Sequence, residues 1–406
     1  MIAAMHALSP AGAGIFLVAC LWAAPGSAGE RDLWLEVDAP VAGTMRVGPV
    51  GLVLVRGFAG IGPGHDIVLL IDTSGSTLDP AGFDVDGDGT VGRRLRSADD
   101  PYRSWNPRRQ CSDPGDTLRA AELAATRELA AELAESGRAR LAVVAFDGSA
   151  RTLAPLGEPA RAAEIATEAL DGNLKTGWSD VAGALEHAAE LLEATGGEKR
   201  TRSIVLLSDG LARRRGLEGP DAQRAATDLA RSLGERSIRV HTFGLAPPSS
   251  SGADVLESIA RESGGHFVAV PDPAKLVPDL LQVELAPLEA IQVRNASANL
   301  PARAVRVLPD GAFDGIVPLR PGSNRIEVIA HWPGGEPRRV ERTVQFEARP
   351  AQTLEEARAV AADLDELKRR TLELELAATV ERGRLQARER VLELQAADPA
   401  LGDGGI

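Results

Sequence analysis

The chain has 406 residues, long enough for two or three domains with separate cores. Hydrophobic residues at 44% and charged residues at 25% are the proportions of a soluble globular protein. A formal net charge of -13 argues against a nucleic-acid backbone as partner and fits cations or basic proteins, and aromatics at 3% leave no platform for stacking bases.

The stretch AGAGIFLVACLWAAPGSAGE is a short apolar run followed by small residues. Gly26 and Ala28 stand at the spacing of a signal-peptidase site, so residues 1–28 read as a signal peptide. No Lys or Arg precedes the run, so the basic leader of such peptides is missing. LVAC (17–20) resembles a bacterial lipobox, which would leave Cys20 as a lipidated N-terminus; the alternative is a cysteine inside a segment that is cleaved away. Either reading exports the protein to the periplasm, the cell surface or the medium. No later run approaches the ~20 apolar residues of a membrane span. Cys111 is then the one remaining cysteine, and no intrachain disulfide is expected.

Residues 32–60 (DLWLEVDAPVAGTMRVGPVGLVLVRGFAG) alternate and are broken by Gly and Pro, as short antiparallel strands are. From Asp66 to about Glu284 the texture changes. Apolar runs IVLLI (67–71), RLAVVAF (140–146), RSIVLLS (202–208), IRVHTFG (238–244) and HFVAV (266–270) read as strands. Helical stretches lie between them, including 116–136, with Asp116 placed to cap it, and 179–195. Continuous Val/Ile/Leu strands separated by helices imply an α/β fold with a doubly wound, mostly parallel sheet. Such sheets take ligands at the carboxyl ends of their strands.

The antiparallel texture returns over 285–348. DGAFDGIVPLRPGSNRIEVIAHWPGG resembles the closing half of bacterial immunoglobulin-like modules, and VDAPVAGTMRVGPVGLVLVRG their opening half. The expectation is an α/β domain at 66–283, with a long loop at 79–115, inserted into one β-sandwich. The alternative is a separate hairpin and a separate small β-domain. Residues 353–397 form one helical pattern. Val360, Leu364, Leu367, Thr371, Leu374, Ala378, Leu385 and Leu392 approximate a heptad seam, interrupted by Glu381 and Arg388 and weakened by Gly383. Self-association as a coiled coil, a helix folded back on the body, and a helical hairpin all fit it.

Three separated pieces carry the chemistry. Asp72, Ser74 and Ser76 form D-x-S-x-S after the first α/β strand; TGWSDVAGALEHA (176–188) places Ser179 at the start of a helix; IVLLSDG (204–210) puts Asp209 at the end of another strand. In this order, on these elements, they resemble the von Willebrand factor type A domain with its metal-ion-dependent adhesion site, over about residues 66–283. Taken singly, each is a turn or capping residue. The resemblance implies Mg²⁺ or Mn²⁺ held by Asp72, Ser74, Ser76, Ser179 and Asp209, with Thr176 as the alternate to Ser179. Family members usually carry Thr in a Gly-Thr-Asp segment where this chain has Ser179. It also implies a position left open for an acidic side chain of a protein partner, and binding rather than catalysis. Neutral hydroxyls suit that use, because they coordinate without saturating the cation's charge.

The long loop contains DVDGDGTVG (84–92). Asp84, Asp86 and Asp88 stand at positions 1, 3 and 5 of an EF-hand-like calcium loop, with Gly89 at the turn and Thr90 at position 7. Position 12 is Leu95, where a carboxylate is wanted, so Asp99 or Asp100 would have to substitute. The competing reading is a solvated acidic turn. FDVDGDGT also superficially resembles the nucleophile motif of haloacid-dehalogenase-type phosphatases, but LDPAGF before it is no buried strand. DTSGST is no G-x-S-x-G elbow. The six histidines are scattered over separate elements as surface or packing residues, with no zinc spacing and no Gly-rich phosphate loop. The sequence thus points to an exported, cation-dependent protein-binding module, with envelope assembly through the C-terminal helix as the other class.

Overall fold

The computed structural model describes residues 33–95, 111–170, 179–194, 199–208, 219–245, 251–362, 364–366, 368–369 and 372. Strands β1 (Leu33–Ala39), β2 (Thr44–Gly48) and β3 (Leu52–Ile61) open the chain. The α/β segment follows as β4 (His65–Asp72), α1 (Leu118–Ser136), β5 (Ala139–Phe146), β6 (Ala150–Gly157), α2 (Pro159–Leu170), α3 (Val181–Ala194) and β7 (Thr201–Ser208). It continues through α4 (Pro220–Glu235), β8 (Ile238–Gly244), α5 (Ser251–Ser263), β9 (Phe267–Ala269) and α6 (Leu276–Gln282). The chain then returns to strands alone: β10 (Ala290–Asn295), β11 (Leu300–Pro301), β12 (Arg303–Val307), β13 (Ala312–Pro318), β14 (Gly322–His331) and β15 (Arg338–Ala348).

The α/β sheet runs β6-β5-β4-β7-β8-β9, parallel throughout except for the antiparallel edge strand β6. The central strand β4 shows why both faces are covered. Ile67, Leu69 and Ile71 alternate into one core with Leu129 and Leu133 of α1 and Leu280 of α6. Val68 and Leu70 alternate into the other, with Leu185 of α3 and Leu233 of α4. Sequence periodicity missed β6. Pro155 and two register shifts make it irregular, which only an edge position tolerates.

The flanking strands form two sheets, β1-β3-β13-β12 and β11-β10-β14-β15-β2, and each draws on both sides of the α/β segment. β3 pairs antiparallel with β13 from Leu52↔Pro318 to Phe58↔Ala312, and β2 pairs parallel with β15. Val37, Val53 and Val55 share one core with Phe313, Val317, Ile326, Val328 and Phe346. The second flank could not bury that face alone, and neither could the first.

The two bodies meet at the amino-terminal ends of the α/β strands. Arg138 reaches Glu36 at 3.0 Å and Asp38 at 2.6 Å, and Arg306 reaches Glu132 at 3.3 Å and Glu135 at 2.7 Å. His65, fully buried, lies 3.2 Å from the Asp310 carbonyl and 2.9 Å from Ser203 Oγ. The C-terminal helix is described from 354 to 362 and in pieces to 372. Val360 and Leu364 line a groove with Val47, Val50 and Leu52, and Glu366 meets Arg56 at 3.4 Å, so this part lies on the sandwich. The heptad positions Leu367, Thr371 and all those from Leu374 onward lie outside the described residues, as do the expected signal peptide and Cys20. No described helix is long and apolar enough to cross a membrane.

Candidate metal centre

Asp72 ends β4 at the point where the chain order reverses: β5 lies on one side of β4 and β7 on the other. The five apolar residues before it are fully buried, each contributing up to ~1.5–3 kcal/mol, and this anchors the carboxylate at the sheet's rim. Asp72 is itself 0% exposed. An ionised group there needs donors. Ser74 N donates to Oδ1 at 2.8 Å, Ser208 Oγ to Oδ2 at 2.7 Å, and Ser179 Oγ to Oδ2 at 3.1 Å. Ser74 Oγ lies 3.1 Å from Ser76 Oγ across the start of a 3₁₀ turn, Gly75–Leu78.

Neighbouring elements fix these groups. Thr73 N and Oγ1 both donate to the Phe146 carbonyl, at 2.7 and 2.9 Å, stapling the loop to β5. Asp180 N donates to the Asp147 carbonyl at 2.7 Å, while its Oδ1 accepts from Gly183 N at 2.9 Å and caps α3. Ser179 is thereby held at the helix start, facing Asp72. Asp72, Ser74, Ser76 and Ser179 thus converge from two elements, whereas Asp209 and the alternate Thr176 lie outside the described residues. Ser208 escaped the sequence reading; its signal was a hydroxyl on the last residue of an apolar strand, next to Asp209.

The donor set is one carboxylate and hydroxyls, with no nitrogen or sulfur. That is hard-cation chemistry. Adjoining ligands of an octahedral ion at 2.0–2.1 Å are about 2.9 Å apart, against about 3.3–3.7 Å for Ca²⁺ distances at the same angle. The 3.1 Å between the Ser74 and Ser76 hydroxyls lies between the two values, about 0.2 Å from the small-ion spacing and about 0.2–0.6 Å from the Ca²⁺ range.

The acidic loop is arranged differently from its sequence reading. Asp116 does not cap α1; Thr117 does, its Oγ1 accepting from Ala120 N at 3.2 Å. The Asp116 carboxylate instead turns into the loop and accepts from Val85 N at 2.6 Å and Gly92 N at 2.7 Å. Asp84, Asp86 and Asp116 each bring one oxygen within 4.8 Å of the others. The third carboxylate of this group, Asp116, lies 21 residues beyond Leu95, which is buried as packing; Asp99 and Asp100 lie outside the described residues. Asp88 lies outside that trio, its Oδ1 accepting from Thr90 N at 2.7 Å. The Asp88 amide lowers the Asp86 pKa, but desolvation and the charges of Asp88, Asp113 and Asp116 outweigh it and raise it overall. Asp84 sits in irregular loop, not at the end of a buried strand, so the phosphatase-type elbow is missing there.

Residues 117–282 match the family model of the von Willebrand factor type A domain. The match starts beyond the long loop, so Asp72, Ser74 and Ser76 join the matched segment through β4, the central strand of its sheet. No curated protein matches the chain. Similar solved structures include an aerotolerance-related membrane protein from Bacteroides fragilis carrying multiple mutations to serines, at 17% identity, covering 53% of this chain and 96% of that one, TM-score 0.34. A von Willebrand factor type A protein from Catenulispora acidiphila shares 17% identity over 78% of this chain and 74% of that one, TM-score 0.34. The PilB minor pilin from Streptococcus sanguinis shares 13% over 61% and 76%, TM-score 0.37. The α/β sheet, its strand order and the matched segment agree: this chain carries a von Willebrand factor type A domain, and its residues 117–282 belong to that family.

Proposed function

We propose that the protein binds a protein partner through a divalent cation, Mg²⁺ or Mn²⁺, held by Asp72, Ser74, Ser76 and Ser179 together with Asp209. The observation that carries this reading is the convergence of hydroxyls on one buried carboxylate, with 3.1 Å between the Ser74 and Ser76 oxygens. When bound, the ion supplies an electrophilic position for a partner's Asp or Glu. The chain's own residues orient the oxygens and keep the site rigid. No residue is assigned a catalytic role, and a net charge of -13 makes a metal bridge the natural way to capture an acidic group. Asp84, Asp86 and Asp116 form a second cation site, for Ca²⁺, that orders the loop; Asp88 and Thr90 shape the loop backbone. Export to the cell envelope, by a cleaved signal or through Cys20, completes the reading.

The test is Mn²⁺ binding followed by electron paramagnetic resonance on the wild type, Asp72→Ala and Asp84→Asn/Asp86→Asn. One Mn²⁺ lost in Asp72→Ala and retained in the loop variant supports the assignment. Envelope proteins captured by the wild type should then be released by EDTA and not captured by Asp72→Ala; capture indifferent to both overturns it.

A second reading, assembly through the C-terminal helix, has one observation behind it. Leu354 and Leu372, both on helical residues, are large apolar side chains left 68% and 67% exposed. Sedimentation of the wild type against Leu354→Glu/Leu372→Glu tests it: a concentration-dependent oligomer lost in the variant supports assembly.

A further inference from the structure

Arg119 is a buried cation that the proposed site has not yet used. It is the second residue of α1 and 4% exposed, and its side chain turns back towards the end of β4. Nη2 donates to the Thr73 carbonyl at 2.9 Å and to Thr77 Oγ1 at 3.1 Å. Thr77 Oγ1 in turn donates to the Ser74 carbonyl at 2.9 Å. One nitrogen therefore restrains the backbone on both sides of Ser74, in the middle of D-x-S-x-S. Nε and Nη1 have no hydrogen-bond partner among the described residues. Burial works against the charge, and the attraction of Glu122, 0% exposed and one turn further along α1, and of Asp72 works for it. A guanidinium kept buried with two of its nitrogens unsatisfied is costly. The contacts it does make are with this loop.

We propose that Arg119 is the positioning residue that selects the cation, by holding the Ser74 and Ser76 hydroxyls at a spacing suited to a small octahedral ion. This rests on the cation-binding reading above. Two effects of Arg119 separate cleanly. Its positive charge opposes any divalent ion, and Mg²⁺ and Ca²⁺ carry the same charge, so that effect cancels in the ratio of their affinities. The clamp does not cancel. Closing the oxygen pair from 3.1 Å to the ~2.9 Å of Mg²⁺ takes about 0.2 Å, whereas opening it to the ~3.3–3.7 Å of Ca²⁺ takes about 0.2–0.6 Å and over most of that range strains the loop more. The affinity ratio therefore reports the clamp alone.

The experiment uses the full chain, with the Mn²⁺ signal that Asp72→Ala abolishes, displaced by Mg²⁺ or by Ca²⁺. Arg119→Met is combined with Glu122→Leu, so that no lone acid stays buried. Arg119→Lys keeps the charge and loses the planar fork. The expected result is that the Mg²⁺-over-Ca²⁺ preference falls at least tenfold in the double variant and by less in Arg119→Lys. An unchanged ratio overturns the proposal, even if both affinities shift. Hydrogen-exchange mass spectrometry of residues 71–78 in EDTA is the second measurement, and it needs no metal. Exchange at least tenfold faster in Arg119→Lys supports the clamp, and unchanged protection overturns it. A wild type with no Mn²⁺ at Asp72 removes the cation reading and the selectivity with it, while the exchange result reports separately whether Arg119 restrains the loop.

Discussion

His65 carries a sharp pH prediction because two physical demands on it conflict. Its Nδ1 is 3.2 Å from the Asp310 carbonyl and its Nε2 is 2.9 Å from Ser203 Oγ, which also lies 3.0 Å from the Leu285 carbonyl. Both ends of this chain are carbonyls, so three contacts need three protons, and a neutral imidazole plus one hydroxyl brings two. An imidazolium would fill all three. Burial opposes it, with Arg200 and Arg239 adding repulsion against the attraction of Asp66, and the pKa is lowered from 6.5 to about 4. Burial wins, and the sign follows. The unfolded chain takes up the proton first, so stability is full above pH 6.5 and falls as pH drops towards 4. By pH 4.5 the loss relative to pH 7.5 is about 2.5 kcal/mol, a large part of a typical stability of ~5–15 kcal/mol. Glu284, raised by burial to about 7, works in the opposite sense: its contribution is lost as pH rises through 7. Urea denaturation of the wild type and His65→Gln across this range isolates the histidine, since Glu284 is common to both. The two curves should diverge by about 2.5 kcal/mol at pH 4.5. Parallel curves, or an imidazole titration midpoint at or above 6.5 by NMR, would refute the priority given to burial.

Asp66 is 1% exposed and bound by Arg140 and Arg200, whose bonds lower its pKa against the desolvation that raises it. Asp66→Ala should cost ~3 kcal/mol in urea denaturation, the low end for a broken buried pair because Arg140 is 34% exposed. The wild-type contribution is present above pH ~4 and lost as pH falls further, so the gap should close in acid. Asp116→Ala removes the acceptor of two loop amides; a loss of ~1–3 kcal/mol and new proteolytic cleavage within 84–92 are expected, whereas Thr117→Ala should cost ~1 kcal/mol and leave the loop resistant. Gly62 has φ +69°, and a Cβ there would stand 1.6 Å from the Lys199 carbonyl oxygen, so Gly62→Ala should cost more than ~2 kcal/mol in thermal unfolding. Gly43, at φ +79° with nothing within 4 Å, gives the control, ~1 kcal/mol for the backbone alone.

The α/β half was legible because its signal is local and redundant. In β4, β5 and β7 an uninterrupted apolar run follows from a strand packed on both faces. β6 fails that test for a physical reason: it is an edge strand, antiparallel, with only Ala154 fully buried. The sandwich was legible as texture, but its pairing was not. Nothing within residues 52–61 specifies that Val55 will face Gly315, some 260 positions away in the chain. That register comes from shared burial, a property of the assembled core and not of either segment.

The candidate centre divides along the same line. Asp72, Ser74 and Ser76 follow from local spacing, because i, i+2 and i+4 after a strand share one loop. Ser179 followed only from the ordered resemblance. Asp116 and Arg119 were invisible in their true roles, since each looks like an ordinary helix-start residue. The structure makes the first turn of α1 the common support of both candidate centres. Asp116 gathers the acidic loop, Thr117 caps the helix, and Arg119 holds the D-x-S-x-S backbone, all within four residues. Backbone bonds tie that turn directly to the loop's entry: Leu118 N donates to the Asp79 carbonyl at 2.9 Å, and Ala81 N to the Asp116 carbonyl at 2.7 Å. A shift in where the helix begins would therefore move Asp116 and Arg119 together. The described ends of the long loop are thus tied to each other and to the strand-end site through one helical turn.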